Sequence, residues 1–320
     1  IDASENDGNT SQRTTTTNST SVTKVGTTNT TVTSGTYGQI IGSQIVGTTN
    51  DRSGGAVAMN GDGTIIGVND VVGGTTRVWQ YSNNSWNQLG SNISGWSNNN
   101  NSQIVKINND GTFIAIGSPY DTTNGTQSGA AAVFQYSSSD NSWNQLGSTI
   151  YADTAYVRLG SSVSLNNDGS VIAIGYPSIY NNTINPGHVC IYENKNNLWE
   201  KNVTILGDSN GKQFGYSVAL SNDGKIVAIG EPFRNNGHIS IYEYKETTET
   251  DWNDSSKVIK QDNSAWEENS LYWNLIENDI IGKTTNEFCG KSFSLSDNGN
   301  TIVVGIQSNY LENTRVYVSQ

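Results

Sequence analysis

One hairpin sequence, written five times, constrains this chain more than any other feature. The clearest copy is FGYSVALSNDGKIVAIGEP, from Phe214 to Pro232. Alternating small and apolar residues lead into Asn222-Asp223-Gly224, and an apolar run leads out. Asp-Gly between two such runs predicts a β-hairpin, because glycine takes positive φ without steric cost. Ile226 to Ile229 is apolar throughout, the pattern of a strand covered on both faces. The stretch returns as LGSSVSLNNDGSVIAIGYP (159–177), SQIVKINNDGTFIAIGSP (102–119), GGAVAMNGDGTIIGVND (54–70) and GKSFSLSDNGNTIVVG (290–305). The turn glycines Gly63, Gly111, Gly169, Gly224 and Gly299 are spaced by 48, 58, 55 and 75 residues.

Two further motifs follow each hairpin. An aromatic strand comes first: Arg77-Val78-Trp79, Ala132-Val133-Phe134, Cys190-Ile191-Tyr192, Ser240-Ile241-Tyr242 and Arg315-Val316-Tyr317. A tryptophan strand comes next: WNQLGSNISG from Trp86, WNQLGSTI from Trp143, and looser copies at 199–207 and 273–282. Four short strands at such a period predict one blade of a β-propeller. The fifth unit stops after its aromatic strand, whereas 37–47 is a tryptophan-type strand with no unit of its own. The expected fold is therefore all-β, a five-bladed β-propeller whose N-terminal strand closes the last blade and leaves no open edge.

Residues 1–36 read as a Ser/Thr-rich stalk or linker, too poor in large apolar groups to offset the entropy of ordering. Residues 37–320 form the propeller, interrupted by an acidic insertion at 245–272 that carries Trp252 and Trp266. A chain starting at Ile1 is expected to be processed or a fragment. Cys190 and Cys289 fall on non-equivalent strands of non-adjacent units, which predicts buried thiols rather than a disulfide.

The repeats resemble the FG-GAP or integrin-alpha-type propeller repeat, in a divergent form with Asn-Asp-Gly, Ile-Ala-Ile-Gly-x-Pro, an aromatic strand and Trp-Asn-Gln-Leu-Gly. The resemblance covers about residues 37–320. It implies adhesion, ligand binding or surface architecture; integrins have seven blades, so none of their ligand sites carries over. Many such repeats hold calcium on the same hairpin, in an Asp-x-Asn-x-Asp-Gly-x-x-Asp loop. Calcium takes about six to eight oxygens. Here the outer carboxylates are replaced, for example by Ser164 and Ile172 in the third unit and by Ala219 and Val227 in the fourth. Asp62, Asp110, Asp168 and Asp223 are accordingly expected to be turn residues, with no cofactor and no metal.

The net charge of −12 argues against nucleic acid as a partner. No apolar run approaches the roughly 20 residues of a membrane helix. His188 and His238 both follow glycine at the start of the aromatic strand, an equivalence that marks them as structural. The innermost strands carry Ser, Val, Ala, Leu, Asn and Lys106, and the acids fall in turns or in the insertion, so no catalytic residue is expected. Sequons begin at Asn9, Asn18, Asn29, Asn83, Asn92, Asn100, Asn124, Asn181, Asn202 and Asn253. These features predict a non-enzymatic extracellular or virion surface protein, in contact with proteins or glycans of a cell or particle surface. A lectin-like propeller is the alternative, with Trp252 and Trp266 as candidate ligand contacts, and a glycoside hydrolase the second alternative.

Overall fold

The computed structural model describes residues 41–47, 51–94, 103–177, 186–208, 212–246, 258–259, 271–276, 279–284, 287–307 and 312–318. Among these residues there is no helix, and the strands form five separate antiparallel sheets. The first holds β1 (Ser53–Met59), β2 (Ile65–Asp70), β3 (Thr76–Ser82) and β4 (Ser85–Gln88), and the second β5 (Ile104–Ile107), β6 (Phe113–Ser118), β7 (Ala130–Ser137) and β8 (Ser142–Tyr151). The third holds β9 (Ser162–Leu165), β10 (Val171–Tyr176), β11 (His188–Lys195) and β12 (Leu198–Leu206). The fourth holds β13 (Ser217–Leu220), β14 (Ile226–Glu231), β15 (His238–Glu246), β16 (Val258–Ile259), β17 (Leu271–Leu275) and β18 (Ile280–Ile281), and the fifth β19 (Ser292–Leu295), β20 (Thr301–Gln307) and β21 (Glu312–Val318). All belong to one compact unit, Ile41–Gln320.

Each repeated hairpin is the first strand pair of a sheet, the aromatic strand follows in all five, and the tryptophan strand follows in the first four. The hairpin turns share one hydrogen-bond scheme. Asp168 Oδ1 accepts from the Ser170 N–H at 3.0 Å, and Asn166 Oδ1 accepts from the Val171 N–H at 2.9 Å. Asp62 and Asn60, Asp110 and Asn108, and Asp223 and Ser221 repeat the pair of bonds. These carboxylates are spent on their own backbone, the local bonding that makes Asp and Asn turn formers.

The fourth sheet departs from the repeat. Its tryptophan strand is split into β17 and β18, both paired with β15. The insertion is more than a loop: Val258-Ile259 pairs along β17 and adds a strand to the sheet's edge. An outer strand presents unpaired N–H and C=O groups, which the backbone of Val258-Ile259 meets, and β-branched residues favour the extended conformation this needs.

The second strands of the second, third and fourth sheets are covered on both faces, as their unbroken apolar runs require. Val227 and Ile229 enter the core shared with the third sheet, and Ala228 enters the core shared with the fifth. Four such cores fill the junctions between consecutive sheets, first to second through fourth to fifth. Cys190 and Cys289 are buried thiols within them.

The junctions also repeat in detail. The N–H of Leu159, Phe214 and Cys289 donates to the carbonyl of Ser128, Pro186 and Asn236 of the preceding sheet, at 3.0–3.2 Å. A Cβ added to Gly117, Gly175 or Gly230 would lie 2.1–2.2 Å from the carbonyl oxygen of Gly160, Gly215 or Gly290 in the next sheet. Only glycine admits that approach. At the rim, the indoles of Trp143 and Trp199 donate to the carbonyls of Leu89 and Leu146, each at 2.9 Å. The same bond joins Trp86 to the carbonyl of Ile41 at 3.1 Å. Residues 41–47 thus reach the first sheet by the contact that other tryptophan strands make with the sheet after them. They form no strand of their own, and 37–40 lie outside the described residues. No described helix is long and apolar enough to cross a membrane.

Candidate functional site

The first strands of all five sheets line a single cavity of about 260 Å³. Strand register makes Ala58, Lys106, Ser164, Ala219 and Ser294 equivalent, and all five line it. Three of these positions are open or half-open methyl and hydroxyl groups, and Ser294 and Lys106 are exposed to the space. Lys106 makes no ion pair with any described residue. The protein packed round it lowers the Lys106 ammonium below the usual lysine range by desolvation. Asp297 is the one carboxylate among the lining residues.

The hairpin turns lie together toward one end of this cavity, joined to one another by hydrogen bonds. The Gly61 N–H donates to the Asn109 carbonyl at 2.8 Å, Asn167 to Asn222 at 2.8 Å, and Asn222 to Asp297 at 2.7 Å. Between the second and third sheets the Asn108 amide replaces the backbone donor and reaches the Asn167 carbonyl at 2.6 Å. Four sheet-to-sheet steps are joined in this way.

The fifth step, from the fifth sheet to the first, has both halves of the junction but not the contact. Gly54 has φ +90°, like Gly160, Gly215 and Gly290 at 85–86°, yet nothing lies within 4 Å of a Cβ added to it. Val57 and Met59 are 68% and 64% exposed, while their equivalents Val163, Val218, Leu165 and Leu220 are at most 8% exposed. Val303, on the facing side of the fifth sheet, is 39% exposed, against 0% for Ala115, Ala173 and Ala228.

A second polar cluster lies between the third and fourth sheets. The Arg234 guanidinium bridges Asp208, Glu231 and Asp279, and the Ser240 hydroxyl donates to Asp279 at 2.7 Å. Glu231 is 1% exposed and its Oε1 has no hydrogen-bond partner. Burial pushes its pKa up to about 7, against the pull of Arg234. Beside it, His238 Nδ1 sits 3.0 Å from the Arg234 carbonyl, and burial lowers its pKa. His188 stacks on Tyr176 at 4.2 Å, and burial, then Lys201, lowers it to about 4. Both histidines are packed structural groups.

Sequence reasoning placed the acids in turns or in the insertion and so missed Glu231. Its signal was the x of Gly-x-Pro, where the copies have Ser118, Tyr176 and Glu231. It also missed that the tryptophan strand carries an inter-sheet tether. Trp252 and Trp266 lie outside the described residues, as do Asn9, Asn18, Asn29, Asn100, Asn181 and Asn253. Asn83, Asn92 and Asn124 are exposed, whereas Asn202 donates to Glu193 at 2.7 Å and accepts from the Trp273 indole at 3.3 Å. No described group of three His, Cys, Asp or Glu could hold a metal ion.

No protein family matches the chain, and no curated protein matches it. Among solved structures it is similar to a candidate 6-phosphogluconolactonase from Bacteroides uniformis ATCC 8492, at 10% identity and a TM-score of 0.49, over 83% of this chain and 68% of that one.

Proposed function

We propose that the five sheets are the blades of a closed five-bladed propeller and that the chain is a non-enzymatic binding and architectural module of an extracellular, cell or particle surface. Closure joins the fifth sheet to the first by the junction that Gly54, Val57, Met59 and Val303 leave unmade. The segment ending at 47 takes the outer place in the last blade on closure, a reading supported by the bond from Trp86 to Ile41.

The observation that carries the functional reading is the lining of the central cavity. Ala58, Lys106, Ser164, Ala219 and Ser294 at the equivalent positions offer one amine among methyl and hydroxyl groups. A glycosidase needs two carboxylates across the scissile bond, and Asp297 is a single one. A site of this kind suits binding better than two-carboxylate glycoside hydrolysis. The partners are proteins of a surface assembly or glycans, and the exposed sequons at Asn83, Asn92 and Asn124 suit a glycoprotein. The test is immunogold labelling of the native source, paired with a glycan array and a panel of nitrophenyl glycosides. Label on a surface without turnover is expected. Protein found only in the medium, or turnover of any glycoside, overturns the reading.

A further inference from the structure

We infer that the central cavity is a binding site for a compact oxyanion, a carboxylate- or phosphate-bearing small molecule, held by Lys106, Ser164 and Ser294. The inference rests on the reading of this cavity as a binding site and deepens it. Lys106 lines this cavity, is exposed to it, and is paired with no described carboxylate. An unpaired ammonium facing a cavity favours an anionic partner there. Ser164 Oγ accepts the Leu220 N–H at 2.9 Å, which leaves its own hydrogen to donate inward. Ser294 Oγ is open to the same space and has no described partner. The Asn109 N–H, at the turn end of the cavity, has no described acceptor, whereas the equivalent N–H groups of Gly61, Asn167 and Asn222 are all satisfied.

The available groups are therefore mostly donors, arranged on three different sheets around one cation. Donors without acceptors call for an anion with several oxygens, and a charged acceptor strengthens each bond. At about 260 Å³ the cavity falls just under the usual range of about 300–1,000 Å³ for small-molecule sites, which limits the ligand to a small one. Asp297 is the only acid on the lining, and it sets polarity: the anion binds toward Lys106, away from the turn of the fifth sheet.

Calorimetric titration of the folded chain with inorganic phosphate and, separately, glucuronate tests this. The expected result is saturable binding of at least one probe, weakened about tenfold or more in Lys106→Met and retained in Lys106→Arg. Methionine should fold there, because the equivalent positions already accept Ala and Ser, and thermal melts check it. Phosphate binding alone assigns a phosphoryl ligand, and glucuronate binding alone an acidic sugar. Absence of binding by both probes, or undiminished binding by folded Lys106→Met, overturns the inference. Either result leaves the non-enzymatic reading intact, since glycoside turnover is measured separately.

Discussion

Replacing Gly175 by alanine sets a methyl group 2.1 Å from the Gly215 carbonyl oxygen and 2.2 Å from Ser162 Oγ. The first atom is backbone of the next sheet and cannot swing away. The third and fourth sheets must separate, at about 1–3 kcal/mol for overpacking. The bond from Ser162 Oγ to the Gly215 carbonyl at 2.8 Å is then strained or lost, at about 0.5–1.5 kcal/mol more. Alanine returns about 0.5–1 kcal/mol through reduced unfolded-state freedom. The net expectation is a loss of roughly 1–3 kcal/mol, read as a lower midpoint in urea unfolding. Gly305 is the equivalent residue of the fifth sheet, and a Cβ there meets nothing nearer than Ser292 O of its own sheet, at 3.5 Å. If the ring closes as proposed, Gly54 comes to lie against Gly305, and Gly305→Ala costs as much as Gly175→Ala. With the seam open, Gly305→Ala is neutral or slightly stabilising. A neutral Gly175→Ala refutes the packing argument. A costly Gly175→Ala beside a neutral Gly305→Ala refutes ring closure.

The other expectations concern the rim, the turns and pH. Trp143→Phe removes the donor to the Leu89 carbonyl at 2.9 Å and should cost about 1 kcal/mol, while Trp143→Ala also opens a cavity and should cost about 3–5 kcal/mol, both from urea midpoints. Asp168→Ala removes bonds to Ser170 N, Ser170 Oγ and Asn166 Nδ2 and should lower stability by about 1–2 kcal/mol; added calcium should leave the melting temperature of the native chain unchanged, and a rise would restore the metal reading of the hairpin. Glu231, raised to about 7, binds more protons folded than unfolded between its ordinary value of 4.5 and 7, so its contribution to stability is lost as pH rises through that window. His188, lowered to about 4, binds more protons unfolded between 4 and 6.5, so its contribution is lost as pH falls. The two slopes oppose each other. Stability of Glu231→Gln should therefore fall more steeply toward pH 4, and His188→Phe, which keeps the stack on Tyr176, should show the decline toward pH 7; unchanged profiles in both would refute the assignments.

Local pattern determined much of this protein. Asn-Asp-Gly between two apolar runs specifies a hairpin from within ten residues, and the apolar run of Ile226–Ile229 specifies a strand covered on both sides. The tandem order of hairpin, aromatic strand and tryptophan strand specifies five antiparallel sheets, and the missing outer carboxylates left Asp168 and its equivalents as turn residues. These features depend on φ preferences and on period-two alternation, which near neighbours decide.

Other features depend on partners about 50 residues away, and only the tertiary structure decided them. The glycine of Ile-Ala-Ile-Gly is needed because the next sheet's backbone lies against it. The indole of Trp143 spans two sheets to Leu89. Lys106 is one polar residue in a strand until five first strands converge round it, and Glu231 is one acid beside a proline until Arg234, Asp208 and Asp279 gather on it. The sequence alone could place each residue on its strand. Desolvation and close approach are set by what the neighbouring sheets bring, and no single repeat contains its neighbour.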